Sequence, residues 1–157
     1  MPGGKKYLDL IKKGISAKKG VESQCTVWCV SDVDADPNNH AATNEQLKEY
    51  DKQARDNDFN IALSNPCFEL WYLLHFNYSS SPLTDNKAVV KKLDKKGRLL
   101  GYAKNKDYYS LLVDKMDTAI NNAKKLKMYH VKQNVTDYLN ASVNPNTNVY
   151  ELVNLIR

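Results

Sequence analysis

TVWCVSDVDADPNN, residues 26–39, is the stretch on which the fold turns. Residues 26–33 form a nearly continuous apolar run rich in β-branched and aromatic side chains. That pattern suits a strand covered on both faces, and hence a parallel sheet. The run stops at Asp34-Ala-Asp-Pro-Asn-Asn, which is turn chemistry. Asp32 and Asp34 alternate with period two, so both point to one side while the strand lasts. Ligands collect at the carboxyl ends of strands in open α/β sheets. Two carboxylates that close repel unless a cation lies between them, and Mg²⁺ is commonly held by one or two carboxylates with waters and phosphate oxygens. Asp32 and Asp34 are therefore candidate metal ligands, with Asp36 a third. Beside Pro37, Asp36 fits a surface turn equally well.

Working outward, Leu8, Ile11 and Ile15 stand among lysines and predict a basic amphipathic helix over residues 5–19. A polar, exposed helix is expected at 43–57, starting near Thr43, and a short strand at 59–63. Asn65 is placed to cap and Pro66 to open an almost wholly apolar helix, Cys67 to Phe76. A carboxylate in such a helix is costly unless compensated, so Glu69 must have a partner: a lysine, a backbone donor or the metal region. His75, roughly two turns on, is either a hydrogen-bonded core histidine or a catalytic one. His40 is within reach of a metal or phosphate in the acidic loop, and His130 is expected to be exposed. A loop at 77–84 leads to a lysine-rich helix at about 85–96. Gly97 and Gly101 punctuate the next connection, and a long helix follows from Tyr108 to about Val131. Asn144-Pro-Asn-Thr147 then caps a last helix at 148–157. The reading is one α/β domain over residues 1–157: a small parallel-sheet, Rossmann-like core at 21–76 and a helical, lysine-rich extension at 77–157.

Apolar residues make up 42% and charged residues 26% of the 157, which excludes disordered and fibrous classes. No apolar run approaches the roughly 18 residues of a membrane span, and no signal peptide is visible behind Lys5 and Lys6. Three cysteines, at 25, 29 and 67, read as buried free thiols of a reducing cytoplasm. An EF-hand fails, because Pro37 and Thr43 stand where Gly and Glu are required. Glycine is absent between Val21 and Lys96, which excludes Walker and Rossmann phosphate loops from the strand region.

The net charge of +5 is unevenly spread: +5 over residues 1–20, −6 over 21–65 and +9 over 86–132. An acidic segment between basic ones suits a cation-dependent site acting on a polyanion. Lys87, Lys91, Lys92, Lys95, Lys96 and Arg98 form a basic face, continued by Lys104 and Lys106 beside Tyr102, Tyr108 and Tyr109. Interleaved basic and aromatic side chains suit phosphate contact and base stacking on single strands; a solvated helix has the same spelling.

The string from Val27 to Asn38, the block Ser64-Asn-Pro-Cys-Phe-Glu-Leu-Trp-Tyr-Leu-Leu-His-Phe76, Gly101-Tyr102 with Lys104, and Asn144 to Val153 together resemble the RloB-like family. The resemblance implies a Toprim-like fold in a bacterial phage-defence setting, abortive-infection or restriction-linked, with a partner ATPase. It implies Mg²⁺ (or Mn²⁺) bound at the Asp-x-Asp of Asp32 and Asp34 for phosphodiester cleavage, and it places Glu69 and His75 on family motif positions. Members begin with a strand and a Glu-Gly-x-x-Glu segment. Nothing of that kind precedes Lys5, so the resemblance implies a member lacking that strand and one acidic ligand, with impaired activity in this form. Two functions are expected. One is a Mg²⁺-dependent nuclease module with Asp32, Asp34, Glu69 and His75 in its catalytic centre. The other is a non-catalytic nucleic-acid-binding or regulatory subunit acting through the ATPase. Nucleic acid is the expected partner of both, no membrane is expected, and homo-oligomerisation stays open.

Overall fold

A computed structural model describes residues 2–33, 43–135, 137 and 140–157. The apolar run becomes β1 (Trp28–Asp32), paired in parallel with β2 (Asn60–Asn65) from Trp28 opposite Asn60 to Asp32 opposite Ser64. A third strand, β3 (Asn146–Thr147), pairs antiparallel with β2 through Ser64–Thr147 and Asn65–Asn146. The sheet is therefore mixed, in the order β1-β2-β3, and parallel only in its first pair. Coverage on both faces holds for β2, whose last five residues are all buried. It does not hold for β1: Val30 is 44% exposed, because among the described residues β1 is an edge strand.

Helices lie on both faces. On one, α1 (Pro2–Lys19) and α2 (Asn44–Asp56) pack Ile11, Leu47, Tyr50 and Ala54 against Val33, Ile61 and Leu63. Helix α2 starts near Thr43 as expected, and Thr43 caps it in a reciprocal capping box with Gln46. The helix is less exposed than its polarity suggests, since a three-residue apolar stripe suffices to dock it. Cys25, expected inside, is exposed; Cys29 is half-buried, Cys67 buried, and all three are free thiols.

On the other face lie α3 (Glu69–Leu74), α4 (Asn86–Leu93), α5 (Tyr109–Leu112), α6 (Met116–Lys132) and α7 (Val149–Ile156). Leu70, Leu73, Leu74, Val89, Leu93, Ala119, Ala123 and Val149 form their common core. The long helix expected over 108–131 is broken by a 3₁₀ turn at Val113–Lys115. The break re-aims the apolar stripe: Leu112 and Ile120 are buried, whereas Leu111 and Val113 face solvent.

Two expected caps are absorbed by the sheet: Asn65, and the Asn144–Thr147 segment, of which Asn146 and Thr147 form β3. Asn65 ends β2 rather than opening a helix, and its amide donates to the carbonyls of Ala141 (2.8 Å) and Val143 (2.9 Å). Asn148 makes no side-chain cap of α7. Its amide instead accepts from the Leu63 N–H (2.6 Å) and donates to the Ile61 carbonyl (2.9 Å). It thus satisfies the β2 backbone where β3 is too short to reach. His130 is buried rather than exposed, with Nε2 2.7 Å from the Pro145 carbonyl. Among the described residues, no helix is long and apolar enough to cross a membrane.

Candidate active site

Asp32 is the last residue of β1, so its carboxylate emerges where β1 and β2 end together. The chain leaving β2 crosses this end before entering α3, and the Phe68 N–H donates to Asp32 Oδ1 at 2.8 Å. Glu69 follows at once and is 3% exposed. Its Oε1 accepts from the Tyr102 hydroxyl (3.0 Å) and faces the Lys104 ammonium at 3.5 Å. Its Oε2 is buried and has no hydrogen-bond partner among the described residues.

Burial alone would raise the Glu69 pKa. Its own backbone amide, the Cys67 thiol, Lys104 and Tyr102 outweigh that burial and hold the carboxyl below its usual range. Lys104 is shifted up, by Glu69 first and by Asp32 in addition, so both carboxylates act on this one ammonium. Burial, followed by the charge of Glu69, pushes the Cys67 thiol and the Tyr102 phenol up. Cys67 is thus a protonated packing residue beside two carboxylates, and Tyr102 a donor.

The return of residues 102–104 to Glu69 is built by two turns. Gly97 and Gly101 have φ of +84° and +72°, a region costly for other residues, and the Gly101 N–H donates to Asp94 Oδ1 at 2.7 Å. On the opposite side, Asp32 opens onto a cavity of about 470 Å³ that it shares with Asp9 and Lys13 of α1.

The structure therefore pairs Glu69 with Lys104 and ties Asp32 to the backbone of Phe68, the residue before Glu69. It separates His75, which lies beyond the far end of α3 and donates from Nδ1 to the Trp71 carbonyl at 2.9 Å. Asp34, Asp36 and His40 lie outside the described residues. Lys87, Lys91, Lys95 and Lys96 are exposed along and just beyond α4, and Lys92 is half-buried. Arg98 is half-buried and donates from Nη1 to the Lys92 carbonyl. Lys13 and Asp9 join the site without a local signal, and Tyr102, singled out beside the basic face, turns out to serve Glu69. A tyrosine 33 residues from Glu69 and an exposed α1 face become neighbours only through the fold.

Among the described residues, no group of three or more His, Cys, Asp or Glu side chains gathers as a metal cluster. Two carboxylates completed by waters and phosphate oxygens still fit Mg²⁺ chemistry, and the buried Oε2 of Glu69 is the unmet hard-oxygen donor such an ion takes. A family model described as RloB-like protein matches residues 4–156. No curated protein and no solved structure matches the chain.

Proposed function

The chain belongs to the RloB-like family, and on that premise we propose that it is a Toprim-like, divalent-metal-dependent phosphodiesterase acting on nucleic acid in bacterial phage defence. The observation carrying this reading is Asp32 at the carboxyl end of a parallel strand pair, held by the Phe68 amide directly before the Glu69–Lys104 ion pair. Asp32 and Glu69 are the residues that would hold Mg²⁺ or Mn²⁺, with Asp34 expected beside them. Bound there, the ion supplies Lewis-acid polarisation of the phosphate and a more acidic water.

The protein's own contribution is placement and charge. The Phe68 amide fixes Asp32. Tyr102 and Lys104 hold Glu69 ionised in a buried position, ready as a hard ligand. Lys104, 65% exposed at its side chain, is free on its outer side to neutralise a non-bridging phosphate oxygen. The lysines of α4 add sequence-independent contact to the strand.

The test is cleavage of single- and double-stranded DNA and RNA with Mg²⁺ or Mn²⁺, alongside calorimetric titration of either ion. Metal binding and cutting that both vanish in Asp32→Ala and Glu69→Gln, with circular dichroism unchanged, is the expected result. A protein that binds neither ion overturns the metal reading. One that binds metal and oligonucleotide without cutting is the regulatory subunit of a partner ATPase instead.

A further inference from the structure

Next to the carboxylate site lies a second cavity, of about 190 Å³, lined by Trp71, Tyr72, His75, Lys106, Tyr108 and Tyr109. A cavity of about 150 Å³ with apolar walls takes benzene, and sites for whole drug-sized ligands begin near 300 Å³. This one has room for a single planar heterocycle. Its walls are aromatic, and they continue into the carboxylate site. Tyr108 stacks on Tyr102 at 5.4 Å between centroids, and Tyr72 meets both rings edge-on at 6.2–6.3 Å. Tyr102 is the residue whose hydroxyl binds Glu69.

His75 gives the cavity a polar instruction. It is 2% exposed, and a carbonyl can only accept, so the 2.9 Å contact with Trp71 places the proton on Nδ1. Nε2 is then a lone-pair acceptor, buried and without a hydrogen-bond partner among the described residues. Burial lowers the imidazole pKa, which keeps the ring neutral and Nε2 an acceptor at neutral pH. A ligand that fits is flat, stacks on aromatic rings and carries an N–H donor on its edge. Every nucleobase meets these requirements. Lys106, 5.7 Å over the Tyr108 ring, brings positive charge to the same wall. Asp107 is engaged by the Tyr109 N–H at 2.8 Å.

We propose that this cavity receives one unstacked nucleobase of the strand held at the Asp32–Glu69–Lys104 site, an inference that rests on nucleic acid being the substrate. Tyr109, 67% exposed, is the outer stacking face, and His75 Nε2 is the inner acceptor. The phosphate beside that base would then fall near Lys104 and Lys106, two residues apart in the chain.

The experiment is binding of fluorescent single-stranded oligonucleotides to the full chain in EDTA, where nothing is cut, with one abasic position moved along the strand. One position should lose about tenfold in affinity, the worth of one stacked base. Tyr109→Ala, a change at an exposed position that keeps the core intact, should lower binding of the intact strand about tenfold and erase the abasic effect. His75→Phe should erase it too. In parallel, quenching of tryptophan fluorescence by free nucleoside monophosphates reports on the wall at Trp71. Intact strands that bind well while every abasic position costs less than twofold would overturn the cavity assignment and leave the nucleic-acid reading standing. Quenching that Tyr109→Ala abolishes, without oligonucleotide binding, keeps a base in the cavity and removes the strand. No binding of either probe overturns both readings.

Discussion

Glu69 and His75 stand at opposite ends of one six-residue helix, 3% and 2% exposed, and each keeps one buried acceptor atom without a hydrogen-bond partner among the described residues. They are provided for in different ways. The charge of Glu69 is met from outside its helix, by Tyr102 and Lys104 brought back through two glycine turns. His75 is met from within, by the carbonyl of Trp71 one turn earlier. A buried ion demands long-range partners, because leaving it alone costs several kcal/mol, whereas a neutral imidazole tolerates a single local bond. One end of α3 is thus an electrostatic centre tied to Asp32. The other is an uncharged acceptor among aromatic rings. On the proposed function, the difference separates a place for chemistry from a place for recognition.

The largest effect should come from the charged end. Glu69→Gln or Asp32→Ala should lower metal-stimulated cleavage by about a hundredfold or more, the scale of damage to a metal site, in steady-state assays. His75→Phe should instead act mainly through KM. Equal loss of kcat in His75→Phe would merge the two ends into one site.

Lys104→Met should come next, with cleavage down about tenfold or more, because its ammonium pairs with Glu69 and, on the proposed function, would meet the phosphate. Lys91→Ala should only weaken oligonucleotide binding and reduce the slope of log K against log salt by about one unit. Identical behaviour of the two variants would make Lys104 a plain phosphate contact.

Tyr102→Phe removes one hydrogen bond to a buried carboxylate and should cost about 1.5–3 kcal/mol in urea denaturation. The smallest effect is a pH slope. His75 has a folded pKa lowered from 6.5 by burial, opposed by the Trp71 and Tyr72 carbonyls and aided by Lys115. Lys106 and Asp107 flank the same cavity. Below about pH 6.5 the unfolded chain takes up a proton that the folded chain resists. Stability is therefore full above that pH and falls as pH drops toward the folded value. Melting temperatures between pH 7.5 and 5 should fall less steeply in His75→Phe than in the parent, and parallel slopes would remove the buried neutral imidazole from the account.

Much of this was legible along the chain. The helix start near Thr43, the strand at 26–33 and the need of Glu69 for a partner all follow from local rules of patterning and burial. The errors share one cause. Asn65 and the Asn144–Thr147 segment spell helix caps locally, but the Asn65 amide is claimed by the distant carbonyls of Ala141 and Val143, and Asn146 and Thr147 by pairing with β2. His130 looks like the end of a solvated helix until Pro145 supplies its acceptor.

The sequence by itself determined the family, the acidic residue at the strand end, the buried glutamate and the basic helix. Side-chain period, charge count and motif spelling are properties of neighbours along the chain. Only the tertiary structure decided that Lys104 answers Glu69, and that His75 lines a different cavity. Those assignments depend on which distant segments a buried charge and a short strand edge recruit. That recruitment is set by desolvation and unpaired backbone groups, which exist only once the chain has folded.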